Sequence, residues 1–132
     1  MPNPHHLVNA VQEAKRYIAN AKEILREKAQ KEDRFYQDTE YVKIAGHAAY
    51  TGVLTALDGL FGKPKKGRKD VDWYKYEIAK MDKKLLNTFT SAYNTLHLSM
   101  FYDGNPNANV AQAGLEDAET IINWVEQRTA TA

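Results

Sequence analysis

The chain contains no cysteine. Disulfides, thiolate zinc sites, iron–sulfur clusters and cysteine nucleophiles are therefore excluded together. Serine is almost as scarce. Only Ser91 and Ser99 occur, both inside a helical stretch where no strand-to-helix nucleophile elbow can form, which argues against a serine hydrolase. No apolar run approaches the 18 residues of a membrane-spanning helix. The first residues, MPNPHHLVNAVQEAK, lack a basic segment followed by an apolar one, so a cytoplasmic chain without a membrane partner is expected. An excess of one charge is missing too. The formal net charge is +1, giving no global attraction to nucleic acid or membrane. What remains is 132 residues, 43% hydrophobic and 27% charged, enough for one soluble domain to hold a core unaided.

No stretch shows the period-2 alternation of a half-buried strand, whereas four segments carry helical periodicity. The first opens on Asn3-Pro4, a cap followed by proline at the first helical position. Leu7, Val11, Ala14, Ile18, Ala21 and Leu25 then form one stripe, predicting a helix over 4–30. After the polar joint KEDRFYQDTE, Asp38 caps a second helix over 38–61 that is apolar on most faces. Its polar stripe is Lys43, His47, Thr51, Thr55 and Asp58. Ala45, Ala48, Ala49, Gly52 and Ala56 form a small-residue face that admits a close neighbour, and Gly46 also lies inside the helix. This helix is expected to be central.

A basic loop, GKPKKGRKD over 62–70, leads to a third helix expected to run unbroken over 71–102. Its core stripe is Tyr74, Ile78, Met81, Leu85, Phe89, Ala92, Leu96 and Met100. Asp103-Gly104 stops it, because glycine takes the left-handed conformation freely. Asn105-Pro106 reopens a fourth helix, 106–127, burying Ala111, Leu115, Ala118, Ile122 and Val125 with Trp124 at their flank. Four such helices joined by short connections imply an all-α, single-domain, up-and-down four-helix bundle.

Several motifs fail on inspection. The basic loop lacks the Lys-Ser/Thr ending and the preceding strand of a phosphate-binding loop. Asp103, Asn105 and Asn107 match positions 1, 3 and 5 of a calcium loop, but Ala108 and Gly114 replace its required glycine and glutamate; a helix-capping turn is expected there. Ile44 and Asn94, three residues before His47 and His97, exclude the Glu-x-x-His of a di-iron bundle. No metal or cofactor is expected.

Two features survive. Residues 61–90 hold nine Lys/Arg against four Asp/Glu, and residues 91–132 one against five. Lys63, Lys65, Lys66, Arg68 and Lys69 are thus the candidate anion or nucleic-acid contacts, set against a merely solvated loop. Charge asymmetry also allows the basic loop of one protomer to meet the acidic end of another. In SAYNTLHLSMFYDGN, apolar side chains occur on every face between Leu96 and Tyr102, more than one intrachain core can cover. A second copy of the chain is the expected cover, with Leu98, Phe101 and Tyr102 at the contact. Tyr93, Asn94, His97 and Asp103 sit within it; His97, Tyr102, Asn94 and Asp103 are the candidates for catalysis, set against a merely packed, hydrogen-bonded histidine.

The first-helix pattern with YIANAKEIL, AGHAAYTGVLTAL in the second helix and AQAGLEDAETIINWV in the last resemble the HEPN superfamily of small helical bundles. AGHAAYTGVLTALD and YNTLHLSMFYDGN are similar to a family of small uncharacterised Bacteroidetes proteins. Many HEPN proteins are dimeric, metal-independent ribonucleases with Arg, four to six residues, then His near the end of the penultimate helix. Here His97 stands at the arginine position and Tyr102 at the histidine position. Tyrosine, with a reference pKa near 10, is a poor base at neutral pH. The resemblance therefore implies a non-catalytic, dimeric interaction or accessory module, with a protein partner as a further expectation. The alternatives are a divergent ribonuclease centred on His97 and Tyr102, and anion or nucleic-acid binding through residues 63–69.

Overall fold

The computed structural model describes residues 4–62, 64 and 67–129. Asn3, the expected first cap, and Lys63, Lys65 and Lys66 of the basic loop lie outside the described residues. Among the described residues the chain is all-α apart from one small hairpin: α1 (Pro4–Glu27), β1 (Lys31–Glu32), β2 (Phe35–Tyr36), α2 (Thr39–Phe61), α3 (Val71–Met81), α4 (Lys83–Ala92), a π-helix (Tyr93–Tyr102) and α5 (Ala108–Gln127). Among the described residues, no helix is long and apolar enough to cross a membrane.

α2 is central, as its apolar circumference implies, packing on α1, the π-helix and α5; α5 closes the ring against α1 and α4. The predicted α1 stripe from Leu7 to Leu25 is buried, as are Ala45, Ala49 and Ala56 of α2. Gly52 lets α1 approach closely: a methyl there would lie 3.0 Å from the Ala14 carbonyl oxygen. On the polar side of α2, the Thr51 and Thr55 hydroxyls donate to the carbonyls four residues back. Asp58 accepts from the Tyr74 hydroxyl at 2.5 Å and pairs with Lys69 at 3.0 Å.

Several expectations need correction. The joint between α1 and α2 is a hairpin, with Lys31 opposite Tyr36 and Glu32 opposite Phe35. Two-residue strands are too short to show alternation, which needs four residues or more. Gln30 and Asp33 take left-handed backbone there, at φ 55° and 59°, so α1 ends at Glu27 rather than near residue 30. The hairpin is also fastened to the start of α5: the Tyr36 amide donates to the Pro106 carbonyl, and the Ala108 amide to that of Arg34.

The expected 71–102 helix is not continuous. Asp82 takes extended backbone, ending α3 and capping α4 by accepting from the Lys84 and Leu85 amides at 2.9 and 3.1 Å. Aspartate competes for backbone amides in this way, which disfavours it inside helices. The break takes Met81 out of the core stripe, leaving it 49% exposed. The Trp124 indole also donates to Asp82, so α5 clamps the joint. α5 itself starts two residues late: Asn107 is its cap, while Asn105 accepts from the Asn107 amide in the preceding turn.

The Leu85 amide, the Trp124 indole and the Lys84 amide hold the Asp82 carboxyl below its ordinary value. A carboxyl lowered by folding contributes stability that is present above its unfolded pKa and lost as pH falls through the folded one. Thermal melts in an acid series are therefore expected to show a smaller pH dependence for Asp82→Asn, which still caps but cannot ionise. An unchanged dependence would place the acid-sensitive group elsewhere.

Candidate functional site

The fully apolar turn foreseen at 96–102 is a π-helix, its hydrogen bonds closing five residues apart. Such helices are rare beyond a single turn and recur at functional sites. Its all-round greasiness is explained in part by its neighbours: Leu96 and Met100 are fully buried, and α2 and α5 grip the helix through glycines. A methyl on Gly46 would lie 2.7 Å from the Leu96 carbonyl oxygen and 2.7 Å from Met100 Cβ; one on Gly114 would lie 2.8 Å from the side chains of Leu96 and Thr95. The helix ends in a left-handed Gly104, at φ 64°, whose amide donates to the Met100 carbonyl.

The wide helical turn places residues four and five apart on one face, and His97 occupies its centre. Its imidazole lies 5.3 Å from the Tyr93 ring, 5.7 Å from Phe101 and 4.9 Å from Tyr102, while Tyr50 of α2 approaches to 4.9 Å. His47, also on α2, approaches the Phe101 ring to 4.9 Å. His97 Nδ1 is buried without a hydrogen-bond partner. Burial, and then the charge of His47, push the His97 imidazole below its ordinary pKa, which favours its neutral form. Burial first, with Tyr93 nearby, pushes the Tyr50 hydroxyl up.

Of the four catalytic candidates, the structure brings His97 and Tyr102 into ring contact; Asn94 and Asp103 are exposed side chains outside the ring stack. Of the three contact candidates, Leu98 and Tyr102 are 37% and 61% exposed, and Phe101 is half-buried against the rings of both histidines. Ile44, one turn before His47, extends the apolar surface. Of the basic candidates, Arg68 is exposed, whereas Lys69 is tied to Asp58. His47 and Tyr50 were not foreseen as partners of His97. Their spacing of three on α2 was the available signal, but only packing shows which element they face.

Two surface recesses lie apart from this face. One of about 240 Å³ between α1 and α5 is bracketed by the Lys15–Glu126 and Lys22–Glu119 pairs. Another of about 350 Å³ under the hairpin mixes Lys22, Lys31 and Arg34 with Asp33, Glu116 and Glu119, so its charges balance. Among the described residues, no three His, Asp or Glu side chains are grouped to hold a metal ion.

Fold and face together define a small helical protein whose most unusual feature is a histidine set in an aromatic surface. The family model described as Domain of unknown function (DUF5618) matches residues 9–127, and the chain belongs to that family. A solved structure of a protein of unknown function from Dyadobacter fermentans is similar, at 63% identity and a TM-score of 0.88. The match covers 91% of this chain and 96% of that one. A relative in Dyadobacter accords with the resemblance to small Bacteroidetes proteins. The comparison with curated proteins gives no match.

Proposed function

We propose that this chain is a cytoplasmic, single-domain, HEPN-like four-helix bundle without catalytic activity, working as a homodimeric interaction module. Its protomers meet through Leu98, Phe101 and Tyr102. The observation that carries this reading is the π-helix face, where Leu98 and Tyr102 present open apolar surface beside the partly covered Phe101. Ile44 and His47 continue that surface onto α2. Contiguous exposed apolar side chains mark contact sites, and a two-fold contact lets one patch cover itself.

The ribonuclease alternative draws less support. A motif arginine would supply fixed positive charge to a phosphodiester, whereas burial among rings disfavours a charge on His97. Sedimentation equilibrium and light scattering test the proposal. The wild-type chain is expected to be dimeric in the micromolar range, and Leu98→Glu/Tyr102→Glu monomeric with an unchanged helical circular dichroism spectrum. These are exposed positions, so the double variant is expected to fold. Strictly monomeric wild-type protein at high micromolar concentration would overturn the proposal.

A further inference from the structure

His97 and His47 lie on the surface assigned above to the protomer contact, both in ring contact with Phe101. The His97 imidazole is not placed to welcome a positive charge. The buried Nδ1 of His97 has no acceptor, and its surroundings are the rings of Tyr50, Tyr93, Phe101 and Tyr102. The loss of water around the His97 imidazole, and then the like charge of His47, push its pKa down.

The charges around the stack offer no compensation. α2 contributes His47 and Tyr50, and Lys43, whose chain runs beside Gly104 and pairs with Glu40. α3 contributes Lys75, 5.9 Å above the Tyr93 ring. α5 presents Gly114 to Thr95 and Leu96, and the Asp117 carboxylate accepts from Ser91 of α4. The π-helix adds Tyr93 and Tyr102, with Asp103 exposed just beyond its end. Among these groups the charge that bears on His97 is that of His47, of like sign.

Covering this face with a second protomer would strip further water from both imidazoles, and the two-fold contact would repeat each of them. We propose that the His47–Phe101–His97 stack is an acid-sensitive latch on the protomer contact: taking up a proton there opens the dimer. The inference rests on the dimer reading and adds its regulation. Any proton bound by the free face and shed on association makes the dissociation constant rise about tenfold for each unit of falling pH, and two protons about hundredfold.

Sedimentation equilibrium of the full chain from about pH 7.5 down to about pH 5.5, with NMR titration of each imidazole, tests the latch. Weakening of the dimer at acid pH is expected, with the His97 resonance titrating below the ordinary histidine range. His47→Gln, an exposed substitution that leaves the core alone, is expected to reduce the slope; His47→Gln/His97→Gln abolishes it. His5→Gln/His6→Gln, on α1, leaves it unchanged. A dimer whose dissociation constant does not move with pH would overturn the latch and leave the dimer reading intact. So would a slope that survives in His47→Gln/His97→Gln or disappears in His5→Gln/His6→Gln. A monomer at pH ~7.5 would remove both together.

Discussion

Gly46→Ala is expected to destabilise the protein by about 2 kcal/mol, although alanine is the better helix former by about 1 kcal/mol. The added methyl would lie 2.7 Å from the Leu96 carbonyl oxygen and 3.1 Å from the Phe101 amide nitrogen. Both are backbone atoms of the π-helix, so no rotamer change relieves the clash. Overpacking of this kind costs about 1–3 kcal/mol and occasionally more, and the contact with a fixed carbonyl puts Gly46 at the upper end. The π-helix cannot retreat, because Gly114 holds its other side against α5. Urea denaturation measures the loss, and a fall in melting temperature of about 6–10 °C is expected beside it. The same shift should move Phe101 away from His47, so the NMR resonances of both histidines are expected to change. A variant as stable as the wild type would show that the helices do not meet this closely.

Most of the fold was legible because burial imposes a helical period on the sequence. The stripes of α1 and α5, the Asp38 cap and the central place of α2 all follow from spacing and capping chemistry. The hairpin escaped notice because its stability comes from outside it, through bonds to Pro106 and Ala108. The break at Asp82 rests on a local cap to the Lys84 and Leu85 amides, which an aspartate within a long apolar stripe does not announce, and on Trp124, 42 residues away, which clamps it. The π-helix was visible only as a contradiction, a turn too apolar for one face of an α-helix. In the structure that contradiction separates into buried Leu96 and Met100 and partly open Leu98 and Tyr102. His97 was recognisable in sequence as the centre of that turn. Its aromatic surroundings were not, since Tyr50 and His47 reach it across the α2 interface.

Phe89→Ala is expected to cost about 4 kcal/mol, in the upper half of the usual range of about 3–5 kcal/mol for a buried phenylalanine. Phe89 is fully buried on α4, and the Tyr74 ring lies 6.0 Å from it. The penalty of such a cavity depends on whether its neighbours can collapse into it. Tyr74 is the nearest candidate to fill the space, but its hydroxyl donates to Asp58 at 2.5 Å. Asp58 is in turn held by Lys69 at 3.0 Å. Moving the ring inward would break the first bond and leave a partly buried carboxylate with one partner fewer, so the cavity stays largely open. Tyr74→Phe releases that tether, and a double-mutant cycle read by urea denaturation follows from it. Phe89→Ala/Tyr74→Phe is expected to lose less than the sum of the single losses, by about 0.5–1 kcal/mol, because the freed ring can enter the gap. Strict additivity would mean that α3 is held in place by its wider packing rather than by the Asp58 hydrogen bond.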